Sequence, residues 1–192
     1  MSFRPEAIRA FEHAGWQRAA SSYGNSFAHA TASYIAPLLE AAEVSPGQHV
    51  LDVACGPGHL AAAASARGAI AHGLDFSAEM VGIARSTHPE VVVTEGDAED
   101  LPYPDSAFHA VVSSFGIHHV PRPELALAEC WRVLKPGARI AFTVELCRNL
   151  GDDGLREAAY RVGCRACQNL SRRAIRHERD YQHPALSSAV RG

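Results

Sequence analysis

The chain has no uninterrupted apolar run of the roughly 20 residues that a membrane-crossing helix needs, and its opening Met1-Ser-Phe-Arg-Pro5 lacks the apolar centre of a secretory leader. A cytoplasmic location with no membrane span is therefore expected. Cysteine is sparse, and its count of five is odd, which argues against a disulfide framework and for reduced thiols. Aromatic residues make up only 7% of the chain and are not interleaved with a basic face, so no nucleic-acid partner is expected. What remains is 192 residues, 47% hydrophobic and 20% charged, enough to bury one real core.

The most informative stretch is Val50-Leu-Asp-Val-Ala-Cys-Gly-Pro-Gly-His-Leu-Ala61. Val50, Leu51 and Val53 suit a parallel strand covered on both faces, Gly56 and Gly58 let backbone approach a ligand, and the alanines that follow favour helix. Asp52 falls near the carboxyl end of that strand, where an open α/β sheet binds its ligand. A carboxylate there repels a pyrophosphate and attracts the sulfonium and ammonium groups of S-adenosylmethionine. The same residues satisfy the dinucleotide pattern GxGxxG/A, a weak signal when alone, so an NAD(P)-dependent oxidoreductase stands as a competing expectation.

Asp52, Ala54, Gly56 and Gly58 resemble motif I of class I S-adenosylmethionine-dependent methyltransferases, within the ubiquinone and menaquinone-biosynthesis-like group. Ala54 replaces the first glycine, a change expected to be tolerated if that position keeps a negative φ. Three further segments follow in the order the family requires. A second strand ends at Asp75, near the offset at which an acidic side chain meets ribose hydroxyls. Phe76 and Met80 follow as an apolar face for adenine, with Ser77 as the N-cap of the next helix. The resemblance implies that Asp97 and Ala98 recognise the adenine edge. It also implies that backbone near Ser113 or Ser114, at the end of a fourth strand, meets the methionine ammonium. Glu99 and Asp100 read as solvated loop charges.

His118 and His119, just past the fourth strand, are the candidate catalytic residues, since either imidazole takes a proton near neutral pH. No carboxylate joins them at ligand spacing, and Cys164-Arg-Ala-Cys167 is a lone CxxC, so no metal is expected. Cys55 reads as a small residue demanded by the turn. Two helices, about Pro5 to Gly15 and Ala28 to Ala42, precede the sheet. The resemblance makes them a lid over residues 1–45, with Tyr23 touching cofactor or acceptor. Pro123 to Leu134 has the spacing of an amphipathic helix that Lys135-Pro-Gly137 stops, and Arg139 to Val144 reads as strand five.

These elements predict an α/β fold, Rossmann-like and doubly wound, with a mostly parallel sheet in residues 1–145. After Val144 the pattern breaks: Leu146 to Gly192 carries a formal charge of +4 against −7 for the residues before it. Residues 146–192 read as an atypical Arg-rich tail, helical over about Asp152 to Leu170 or partly disordered, with the domain truncated after the fifth strand. An exposed fifth strand would then pair with a second copy of the chain. The expected activity is methyl transfer to a small-molecule acceptor. The alternative is a truncated, inactive cofactor-binding or interaction protein.

Overall fold

Apolar runs that fit strands alternate along this chain with alanine-rich runs that fit helices, and each pair builds one unit of a layered sheet. The computed structural model describes residues 3–20, 23–144 and 158–160, with side chains described for 3–20 and 31–144. Two helices come first, α1 (Pro5–Ala19) and α2 (Tyr23–Ala41). The sheet then runs β1 (His49–Val53), α3 (His59–Ala66), β2 (Ile70–Asp75), α4 (Ala78–Thr87), β3 (Val92–Glu95) and β4 (Phe108–Ser114). A short 3-10 turn, Ile117–His119, leads to α5 (Pro123–Val133), β5 (Leu134–Val144) and β6 (Ala158–Tyr160).

The strand order is β3-β2-β1-β4-β5-β6. The first five strands are parallel, as the βαβ pattern predicts. The order reverses between β1 and β4, and such a switch point opens a crevice at the carboxyl ends of the strands. Alternate residues of the central strands feed two cores. Val50, Ala110 and Val112 face the layer of Leu39, Leu60 and Val81, while Leu51, Val53 and Val111 face Val133 and Ile140. Burial on both faces is why these strands read as continuous apolar runs rather than alternating ones.

Two expectations are corrected here. The sheet does not stop at the fifth strand: β6 pairs antiparallel with β5, setting Phe142 opposite Tyr160 and Val144 opposite Ala158. That strand lies inside the stretch expected to be helical, where small residues gave no clear period of either kind. The remainder of 146–192, with its CxxC, lies outside the described residues. The second correction concerns Lys135-Pro-Gly137, which does not separate α5 from β5. The strand begins at Leu134, opposite Phe108, and next pairs at Arg139, opposite Ala110, so the extra residues bulge out of the ladder at Gly137, where φ is +81°.

Candidate functional site

The crevice at the β1/β4 switch point is the mouth of a cleft of about 970 Å³, a volume that includes open solvent. Nine of the residues singled out from sequence line it: Asp52, Ala54, Gly56, Asp75, Phe76, Met80, Asp97, Ala98 and Ser114. His119 joins them. His118 does not; it is exposed, with its ring against that of His119 at 4.2 Å. Gly58 does not line the cleft either. It caps α3 at φ +85°, and a Cβ there would stand 3.2 Å from the Cβ of Ala84, so this glycine serves the packing of α3 on α4. The Tyr23 side chain lies outside the described residues.

Asp52 is 1% exposed. Its Oδ2 accepts from the Ala61 N–H in the first turn of α3 at 3.1 Å, while Oδ1 has no partner among the described residues. Burial pushes its carboxyl well above the usual carboxylate range, the Ala61 amide opposes that, and neighbouring Asp75 reinforces it. Asp75, 5% exposed, accepts from the Gly56 N–H at 2.8 Å and the Ser77 N–H at 2.9 Å. It too is raised, by burial first, with those amides pulling the other way. The end of β2 thus holds the glycine turn in place. Ser77 caps α4 as expected, accepting from the Met80 N–H.

Cys55 is buried behind the turn, and its Sγ would be 2.8 Å from a Cβ on Gly73, so the absent side chain at 73 makes room for it. Burial, with Asp52 and Asp75 nearby, pushes its thiol up, which keeps it protonated and unreactive. Ala54 departs from expectation: its φ is +56°, the left-handed region where glycine is at ease. The strand must turn sharply under the ligand cleft at this point, and the methyl group is accommodated by Gly116, whose own Cβ would lie 2.5 Å from that of Ala54.

The sequence reading placed helices over the site but missed which side chains of α1 reach it, and missed the role of Glu99. Arg9, on α1, binds Asp97 and reaches Glu99 at 2.9 Å. Glu99 is not solvated: its side chain is 3% exposed and also pairs with Arg122 at 2.7 Å. A run of acids on a loop hides which member turns inward, and only the fold supplies the two arginines. Glu12 contacts His119 at 3.1 Å, and the Trp16 ring meets His119 edge-on at 5.0 Å. Arg9, Glu12 and Trp16 are spaced three and four residues apart, a helical face that the spacing already carried. Among the described residues, no group of three or more His, Cys, Asp or Glu is arranged to hold a metal, and no helix is long and apolar enough to cross a membrane.

A parallel sheet of this order with an acidic residue under a glycine turn, a second at the end of β2 and a third after β3 defines the Rossmann-like fold of class I methyltransferases. Residues 51–142, just under half of the chain, match the methyltransferase domain family. A demethylmenaquinone methyltransferase of Renibacterium salmoninarum is 40% identical over 103 residues, covering 54% of this chain and 44% of that protein. The YcgJ protein of Bacillus subtilis superimposes with a TM-score of 0.55 at 30% identity, over 59% of this chain and 50% of that one. The 4+2 cyclase SpnF does so with a TM-score of 0.58 at 29% identity, over 74% and 55% respectively. The chain spans about half the length of the curated relatives it matches.

Proposed function

We propose that this chain binds S-adenosylmethionine and transfers its methyl group to a small-molecule acceptor. The observation that carries the reading is the pair of buried oxygens without partners, Asp52 Oδ1 and Ser114 Oγ, on side chains that line one cleft. A buried acceptor left unmatched is costly, and a ligand ammonium supplies the missing donors. The residues fit the cofactor: Asp52 and Ser114 receive its cationic end, Asp75 its ribose hydroxyls, Asp97 and Ala98 the adenine edge, and Phe76 and Met80 the adenine faces. When bound, S-adenosylmethionine supplies a methyl group activated by the sulfonium, so the chemistry needs positioning more than covalent help.

The chain's own work is to hold the acceptor in line, exclude water and take up a proton. Trp16, Ile35, Phe115 and Val120 line the cleft, an apolar set suited to a flat ring. His119 is the proton acceptor in this reading; exposed His118 is outside the cleft. Demethylmenaquinone is the first acceptor to screen, on the names of the relatives. The likeness to a 4+2 cyclase supports a second reading, in which the cleft serves a ring closure and no methyl group is transferred. Transfer of label from methyl-labelled S-adenosylmethionine to an extractable product tests the two: labelled product supports methyl transfer, and binding without turnover across a panel of quinols, phenols and amines favours the second.

A further inference from the structure

From the contact between Glu12 and His119 we infer that α1 is part of the catalytic apparatus, Glu12 acting as the positioning residue that assembles the base when the helix lies over the cleft. The inference rests on the methyl-transfer reading and narrows its acceptors. His119 Nδ1 lies 3.1 Å from Glu12 Oε2. The residue lines the cleft. The Trp16 ring stands at 80° to the imidazole and fixes its plane from the same helix. A carboxylate that accepts from Nδ1–H leaves the lone pair on Nε2, the tautomer a base requires.

Glu12 and Trp16 come from a helix with no fully buried residue, so the imidazole is held in this tautomer only while α1 is seated. In the step this geometry serves, an acceptor O–H or acidic ring C–H gives its proton to Nε2 as its electron pair forms the bond to the methyl carbon. The sulfur–carbon bond breaks, and its electron pair neutralises the sulfonium. The positive charge passes to the imidazolium, beside the Glu12 carboxylate. The substrate class is therefore one whose nucleophilic atom must lose a proton, a quinol or phenol rather than a tertiary amine.

The test compares wild type with Glu12→Gln in two readouts. Histidine ¹⁵N spectra of the cofactor-free protein should show His119 of wild type as the Nδ1–H tautomer, and should show it shift toward Nε2–H in the variant. With an active quinol or phenol acceptor, kcat should fall tenfold or more while the Kd for S-adenosylmethionine stays within twofold; general-base contributions of about 10²-fold or more set the scale. An Nε2–H tautomer in wild type, or an unchanged kcat in the variant, overturns the dyad. Failure of wild type to bind S-adenosylmethionine overturns the methyl-transfer reading instead, and the tautomer then decides on the dyad alone.

Discussion

Ala54 is held at φ +56°, where a side chain costs about 1–2 kcal/mol relative to the right-handed region. Ala54→Gly relieves that strain at a smaller entropic cost, so urea unfolding should show a gain of about 0.5–1 kcal/mol. Gly116→Ala should lose about 1–3 kcal/mol, because its Cβ would be 2.5 Å from that of Ala54 and 3.0 Å from the Ala54 carbonyl oxygen. Placed on the Ala54→Gly background, the same change should cost less, since the contacts that remain, with the backbone carbonyl oxygen of residue 54 at 3.0 Å and Ser113 Oγ at 3.1 Å, are the longer ones. Additive effects in the double variant would show that the two positions do not share this space.

Asp52 shows both what a residue pattern conveys and what it omits. Its place at the end of β1 is legible from the apolar run before it and the glycines after it, but its bond to Ala61 is not, because that requires knowing where α3 begins. The ordinary structural role and the proposed binding role fall on different oxygens of one carboxyl group, Oδ2 to the helix and Oδ1 toward the ligand. Asp52→Asn preserves the acceptor for the helix and removes the charge. It should leave folding intact and weaken binding of S-adenosylmethionine by about 10- to 150-fold, the effect of losing a charge-assisted bond of about 1.5–3 kcal/mol.

Among the elements whose side chains are described, α1 differs from the rest because it carries no fully buried residue and is held by polar side chains. Arg9 binds Asp97 and Glu99, Gln17 accepts from Ser77 Oγ at 2.7 Å, and Glu12 meets His119. Phe3 and Phe11 remain exposed. Half-exposed ion pairs contribute up to about 1 kcal/mol each, so α1 should open far more readily than the sheet. Hydrogen exchange should find its amides fast in the free protein and slowed by S-adenosylmethionine. Arg9→Ala, which removes both pairs and so up to about 2 kcal/mol, should accelerate them by up to about 30-fold without changing exchange in β1 or β4. Equal protection of α1 and β4 in the free protein would contradict the description of α1 as a separable lid.

The element pattern was readable where two signals agreed, as at Ser77, whose side chain and position both mark the start of α4. It failed where chemistry pointed one way and pairing another. Lys135-Pro-Gly137 has the composition of a helix stop, and α5 does end at Val133, yet no loop follows: β5 begins at Leu134 and takes these residues as a bulge in its pairing with β4. Ala158–Tyr160 has the small residues of a weak helix, and pairing with β5 makes it a strand instead, the context dependence expected of strand preference.

At the scale of the whole molecule, the two buried carboxyls give the stability a sign that can be checked. Asp52 and Asp75 are both raised by burial, so the folded state holds their protons more tightly than the unfolded chain. Their stabilising contribution is fully present below the ordinary carboxylate value of about 3.9 and is lost as pH rises through the raised values. Removing one of them should therefore flatten the fall: Asp52→Asn should gain on wild type in unfolding free energy as pH rises from about 4 toward neutrality. A bound cation restores what ionisation removes. The rise in Tm produced by S-adenosylmethionine should accordingly be larger at pH 8 than at pH 5 in wild type, and should vary less with pH in the variant.

Calorimetric titration of the folded chain with S-adenosylmethionine, alongside NADH, tests the central claim most directly. The account predicts micromolar binding of S-adenosylmethionine, weakened by at least tenfold in Asp52→Asn, with no heat from NADH. Binding of NADH, or S-adenosylmethionine affinity that Asp52→Asn leaves unchanged, would contradict it.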